Sequence, residues 1–169
     1  MTVRAAPEWL TACEYAHRGL HSAGVPENSL AAAEAAIAAG MGIECDIQRS
    51  RDNHPIVFHD WELTRLTGQG GTTEDLTADE LETLRLLGTD QTPLRLDRFL
   101  EAVGGRTTIL IEIKSKRDYD IGSTCRSVAR LLQAHASPVA VMSFDPQVPK
   151  WFSGHSPFIP SGLVCTDTL

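Results

Sequence analysis

The sequence has no cluster of lysines and arginines, no CxxC pair and no long apolar run. Each absence removes a class of function. Acidic residues outnumber basic ones 22 to 15, for a formal net charge of −7. A chain of that sign repels a phosphate backbone unless its cations are concentrated in one place, so a nucleic-acid partner is not expected. The four cysteines, Cys13, Cys45, Cys125 and Cys165, lie far apart and mostly within apolar runs. That spacing fits small buried side chains rather than a disulfide framework or a zinc site. No stretch approaches the length that spans a bilayer, and residues 1–10 lack the continuous apolar core of a secretory leader. A cytoplasmic location is the resulting expectation.

What the chain does have is apolar substance: 42% of its 169 residues are hydrophobic. That suffices for one domain with a real core and is too little for two, so a single domain over residues 1–169 is expected. Strand and helix signals alternate. Six segments read as strands, 15–18, 42–47, 55–59, 108–113, 139–144 and 162–165. Residues 29–39 read as a helix, with Asn28 or Ser29 as N-cap and Gly40 as the stop. Leu96, Phe99, Leu100 and Val103 have helical spacing before Gly104, and Cys125, Val128 and Leu132 mark another helix face. Asp145-Pro146 suits a helix start, with Asp as N-cap and Pro at the first helical position.

Residues 60–93 break the rhythm and read as an insertion over one rim of the domain. Within it, 67–73 is a loop whose Gly70-Gly71 is a turn rather than a phosphate cradle, and Thr77 with Glu80 fits a capping box. Leu81, Leu84 and Leu87 then form a short apolar stripe. The alternation outside this insertion implies parallel pairing and an α/β fold, and the apolar run at 108–111 suits a strand buried on both faces. Pattern alone does not separate a barrel from an open sheet.

The chemistry lies where polar residues interrupt the strands. Side chains alternate faces along a strand, so Glu44 and Asp46 point the same way, and so do Glu112 and Lys114. Each pair is expected at the C-terminal end of its strand. His59 ends its strand, sharing a face with Val57, and His17 closes the first one. Buried charge is costly unless it is paired or bound to metal. Three carboxylates suit a hard divalent cation such as Mg²⁺ or Ca²⁺. Sites in parallel α/β folds lie at the C-terminal ends of strands.

In order along the chain stand His17-Arg18-Gly19, Pro26-Glu27-Asn28-Ser29, Glu44-Cys45-Asp46, His59-Asp60 and Glu112-Ile113-Lys114. Together they resemble the signature of the glycerophosphodiester phosphodiesterase family. The Leu-Thr-Arg-Leu-Thr-Gly stretch after His59-Asp60, and Ser143-Phe144-Asp145, are similar to that family too. The resemblance implies a TIM-type (β/α) barrel that binds one divalent metal ion and hydrolyses glycerophosphodiesters to glycerol 3-phosphate and an alcohol. By that likeness Glu44, Asp46 and Glu112 are metal ligands, and His17 and His59 are the acid–base pair, base and acid respectively. Arg18 and Lys114 hold the substrate phosphate, and Glu27 and Asn28 support the metal or the first histidine. The family pattern also suggests a substrate hydroxyl as first nucleophile, giving a cyclic intermediate that water opens.

Each residue also has a plainer reading. Glu44 and Asp46 could line a solvated strand edge, Glu112 and Lys114 could be a structural ion pair, and Glu27 and Asn28 could simply start a helix. The order of five motifs outweighs these. Strict alternation points Arg18 away from His17, so it reaches the site only if the chain turns at Gly19. His21, His54, His135 and His155 fit no motif and read as surface or loop residues. A full (β/α)₈ barrel takes about 250 residues, so this chain is expected to lack roughly two strands at its C-terminal side. A swapped dimer or other homo-oligomer would be one way to complete it. Two other functions compete with the small water-soluble diester as substrate. One is a lysophospholipase D or sphingomyelinase D-like enzyme, which needs an apolar lid. The other is a non-catalytic metal- or phosphate-binding fragment.

Overall fold

Period-two alternation along the strands decides which residues become core and which become site. The computed structural model describes residues 5–135 and 137–166. The ends of the expected domain, and residues 1–4 of the leader reading, lie outside these described residues. The strands are β1 (Tyr15–Ala16), β2 (Gly42–Arg49), β3 (Pro55–Val57), β4 (Leu94–Arg95), β5 (Ile109–Ile113), β6 (Val139–Ser143) and β7 (Ser161–Leu163). The helices are α1 (Leu30–Ala38), α2 (Thr64–Thr67), α3 (Ala78–Leu81), α4 (Leu96–Val103), α5 (Ile121–Gln133) and α6 (Gln147–His155).

All strands join one sheet, in which β1, β2, β5, β6 and β7 pair in parallel, each with the next in chain order. The order never reverses. A doubly wound open sheet reverses at a switch point, whereas one-way addition builds a barrel wall. The segment at 55–59, which no helix signal separates from the strand before it, does not pair in parallel. Its strand ends at Val57 and runs antiparallel to β2, with Ile47 opposite Val57 and Arg49 opposite Pro55. The link at 50–54, tightened by Asn53 at φ 64°, is too short for a crossover, so it can only make a hairpin. Strand β4, which had no sequence signal, pairs antiparallel with β3.

Odd-numbered side chains of β2 and β5 (Ile43, Cys45, Ile47, Ile109, Ile111 and Ile113) are fully buried in the main hydrophobic cluster. Phe99, Val103, Val128 and Phe152 from the outer helices complete that layer. Cys45 and Cys125 are buried as expected, but Cys13 is half-buried and Cys165 exposed. Cys165 lies just past β7 at the outer side of the sheet, where nothing covers it among the described residues. Ser29, not Asn28, caps α1, accepting a hydrogen bond from Ala32 N. Helix α6 starts one residue later than expected, with Pro146 rather than Asp145 at the N-cap position, although Asp145 Oδ1 still accepts from Gln147 N at 2.8 Å. No helix among the described residues is long and apolar enough to cross a membrane.

The segment between β3 and β4 builds a second cluster, packing Phe58, Leu63, Leu66, Leu81 and Leu86 against Ile56 of β3. The Thr77–Glu80 capping box forms, and a second one joins Thr72 and Asp75. The expected stripe fails at Leu87, which is 59% exposed. Helix α3 stops at Leu81, and Leu87 has φ 51°, so the helical period does not carry on and Leu86 enters the cluster instead. Leu81→Ala is expected to cost about 2–5 kcal/mol in urea unfolding. Leu87→Ala should stay within about 0.5 kcal/mol. Equal effects at the two positions would contradict this packing.

Candidate active site

The even-numbered face of β2 carries Glu44, Asp46 and Gln48, all buried. Strand β5 lies beside it in a register that sets Asp46 directly opposite Glu112. Glu44, Asp46 and Glu112 each place a carboxylate oxygen within 4.8 Å of the others. The acidic pair of β2 does not end its strand as expected. The ladder with β5 stops at Ile47, and β2 runs on to Arg49 only to pair with β3. The site therefore sits at the end of the parallel ladder, in mid-strand for β2. Lys114 lies just past β5, its Nζ 3.3 Å from Glu112 Oε1 and 3.9 Å from Asp46 Oδ1.

His17 and Arg18 occupy the turn after β1. The His17 ring is 69% exposed, with Nε2 4.0 Å from Glu44 Oε2. Arg18 itself takes a left-handed conformation, φ 58°, followed by Gly19 at φ 75°. That double turn defeats the strict alternation and swings Arg18 into the site. A Cβ on Gly19 would stand 2.7 Å from Ala32 Cβ, so only glycine fits where the turn meets α1. The Arg18 N–H donates to Glu44 Oε2 at 2.9 Å. Its Nη1 donates to Glu27 Oε1 at 2.9 Å, and its Nε lies 3.4 Å from Asp46 Oδ2. Asn28, at φ 55°, clasps Asp46 from both sides. Its Nδ2 donates to Asp46 Oδ2 at 3.0 Å, and its Oδ1 accepts from Asp46 N at 3.2 Å. Glu27 and Asn28 thus do more than start a helix.

His59 follows β3 in a loop rather than ending a strand. Gln48 holds that loop by donating to the carbonyls of Phe58, His59 and Asp60. His59 Nδ1 is 2.9 Å from Asp60 Oδ1. Hydrogen bonding to Arg65 and to His59 keeps the Asp60 carboxyl down at about 2, against the opposing effect of burial. An ionised carboxylate only accepts, so Nδ1 is the donor and Nε2 is left free of that bond. Asp60, Arg65 and Gln48 had no role assigned from sequence. Gln48 was legible, since it continues the two-residue period from Glu44 and Asp46.

The carboxylate trio fits a divalent cation on its own chemistry. Burial above all, then the neighbouring Asp46 and Glu112, push the Glu44 carboxyl up to about 8. Glu44 Oε1 and Asp46 Oδ1 are buried with no hydrogen-bond partner. A hard cation satisfies orphaned, crowded oxygens of this kind.

Comparisons with known proteins agree with this geometry. The model of the glycerophosphoryl diester phosphodiesterase family matches residues 17–162. A glycerophosphodiester phosphodiesterase of Caldanaerobacter subterraneus is 43% identical over 70 residues, 41% of this chain and 28% of that protein. One of Bacillus altitudinis is 36% identical over 110 residues, 60% of this chain and 44% of that protein. An Oleispira antarctica phosphodiesterase, solved in complex with the product sn-glycerol-3-phosphate, superposes with a TM-score of 0.81 at 25% identity, covering 89% of this chain and 65% of that one. For the Thermotoga maritima glycerophosphodiester phosphodiesterase the TM-score is 0.74 at 27% identity, with 92% and 63% covered. The chain spans less than half the length of these two curated relatives and just under two thirds of these solved chains. The fold is α/β, a TIM-type (β/α) barrel wall with five parallel strands among the described residues.

The raised Glu44 carboxyl gives a pH signature. A carboxyl whose folded pKa exceeds its unfolded value stabilises fully below the unfolded value, and that stability is lost as pH rises through the folded one. In chelator, the unfolding temperature should therefore fall as pH climbs from the usual carboxylate range to about 8. Glu44→Gln should flatten the fall, and saturating Mg²⁺ or Ca²⁺ should offset it. A melting profile in chelator that is flat over that range would refute the crowded trio.

Proposed function

The chain belongs to the glycerophosphoryl diester phosphodiesterase family, and from that premise we propose that it hydrolyses glycerophosphodiesters to glycerol 3-phosphate and an alcohol. In this reading Glu44, Asp46 and Glu112 hold one divalent cation, Mg²⁺ or Ca²⁺, and His17 and His59 are the acid–base pair. The observation that carries it is the convergence of three buried carboxylates, with orphaned oxygens on two of them. When bound there, the cation supplies positive charge against the phosphoryl oxygens.

The chain's own residues supply the rest. Lys114 and Arg18 border the trio and offer donors to the phosphate. Arg18 Nη2 makes no hydrogen bond among the described residues, and it remains to grip a phosphoryl oxygen once Nη1 is committed to Glu27. His17, exposed beside Glu44, takes the proton from the attacking hydroxyl. His59 gives its Nε2 proton to the leaving alcohol oxygen, with Nδ1 held by Asp60. A substrate hydroxyl next to the phosphate is the first nucleophile, and water opens the cyclic ester.

The lipid-directed alternative finds little support. A lid for long acyl chains needs outward apolar side chains, yet Leu63, Leu66, Leu81 and Leu86 turn inward. Leu87 is the large apolar residue exposed by residues 60–93 among those described.

The test is release of glycerol 3-phosphate from glycerophosphocholine, with Mg²⁺ or Ca²⁺ and then with chelator. Metal-dependent release is expected. Glu44→Gln and Asp46→Asn should abolish it and weaken calorimetric metal binding. His59→Ala should cut turnover by about 10²–10⁴-fold, with metal affinity little changed. Unchanged metal affinity in both carboxylate variants would remove the ligand assignment. Metal binding by the unaltered chain without turnover would instead favour the non-catalytic reading.

A further inference from the structure

We propose that Arg65 is a positioning residue of this site, bridging Asp60 and Glu27 so that the His59 ring and the Arg18 guanidinium are fixed together. Arg65 stands on α2, in the segment between β3 and β4, outside the parallel wall that carries the metal trio. Its Nε donates to Asp60 Oδ2 at 2.5 Å and its Nη2 to Asp60 Oδ1 at 2.9 Å. The same Nη2 donates to Glu27 Oε1 at 2.8 Å, and Nη1 to Glu27 Oε2 at 3.1 Å. One planar group thus engages all four oxygens of two carboxylates.

Each carboxylate passes the constraint inward. Asp60 Oδ1 also meets His59 Nδ1 at 2.9 Å, which orients the ring and leaves Nε2 free. Glu27 Oε1 also accepts from Arg18 Nη1 at 2.9 Å, and Arg18 Nε lies 3.4 Å from Asp46 Oδ2. Two routes therefore lead from Arg65, one to the proton donor and one to the phosphate-binding arginine and a metal ligand.

Glu27, His59 and Asp60 also bring ligand atoms within 4.8 Å of one another, as a second metal site would. Both carboxylates already face a cation, the Arg65 guanidinium. Its planar fork matches two carboxylates at once, which the point charge of a lysine cannot do. An isolated ion pair on a half-exposed side chain contributes little to stability. What this arrangement supplies is orientation, and small misplacements at a reacting centre are costly in rate.

The inference rests on the hydrolase reading above, so its test has one readout that needs no turnover. The ring of His59 is followed by nitrogen NMR in the full chain with Mg²⁺, at a pH where histidine is neutral. The unaltered protein should show the Nδ1–H tautomer, and Arg65→Ala and Arg65→Lys should both shift it towards Nε2–H. In parallel, kcat on glycerophosphocholine should fall by about 10²-fold in Arg65→Ala. KM should rise as Arg18 loses its hold through Glu27, metal affinity should change little, and added guanidinium should restore part of kcat. Arg65→Lys, which keeps the charge, should not recover full kcat and keeps the test open if the alanine variant does not fold. A His59 ring that keeps its tautomer in the folded variants overturns the proposal, as does full kcat in Arg65→Lys. No turnover by the unaltered chain would overturn the hydrolase reading, and the ring spectrum alone would then decide the positioning role.

Discussion

Like charges buried side by side are the constraint around which the rest is arranged. Three carboxylates meet at the end of the β2–β5 ladder, and each buried ion without compensation costs several kcal/mol. The surroundings answer that cost piece by piece. Lys114 approaches Glu112 and Asp46, the Arg18 backbone donates to Glu44, and Asn28 clasps Asp46. The compensation stays incomplete. Glu44 retains a raised pKa, and two buried oxygens remain without a hydrogen bond. A site that lowers its own stability in this way is ready for a cation.

The same strand has to support that cost. Along β2, Ile43, Cys45 and Ile47 face the helices while Glu44, Asp46 and Gln48 face the site. Burying each isoleucine contributes about 1.5–3 kcal/mol, of the same order as the cost of one carboxylate. Neighbouring β5 repeats the division, with Ile109, Ile111 and Ile113 against Glu112. Core and site are thus interleaved residue by residue, and sliding the pairing by one residue would bury acid in the core and turn isoleucine to the site.

This interleaving explains what the sequence made legible. A period of two marks both faces of β2 and β5, so the acidic trio follows from the placement of Glu44, Asp46 and Glu112, while the α/β class follows from the alternation of strand and helix signals. The order of five motifs added the family. Four features lay outside that kind of reading. The reversal at Asn53 depends on how short a link is, which alternation does not register. Arg18 reaches the site through a left-handed turn that no strand pattern encodes. Leu87 fell in phase with Leu81 and Leu84, but the helix that would give the phase meaning stops at Leu81. The Arg65 contacts join residues 38 positions apart, and only tertiary structure brings them together.

The placement of residues 60–93 then has a physical reason. His59 is carried by neither β2 nor β5, so some other segment must bring an imidazole to the mouth of the wall and hold it there. The antiparallel return of β3 does the first part, with Phe58 N donating to Asp46 O at 3.0 Å and so setting the depth of His59 against a proposed metal ligand. Gln48 does the second, since its amide donates to three successive loop carbonyls while its own carbonyl accepts from Thr73. An amide buried at 1% exposure, with both ends engaged, tolerates little movement in either partner. The segment after β3 is therefore fastened to the same face of β2 that bears Glu44 and Asp46, which ties the position of the histidine to that of the carboxylates.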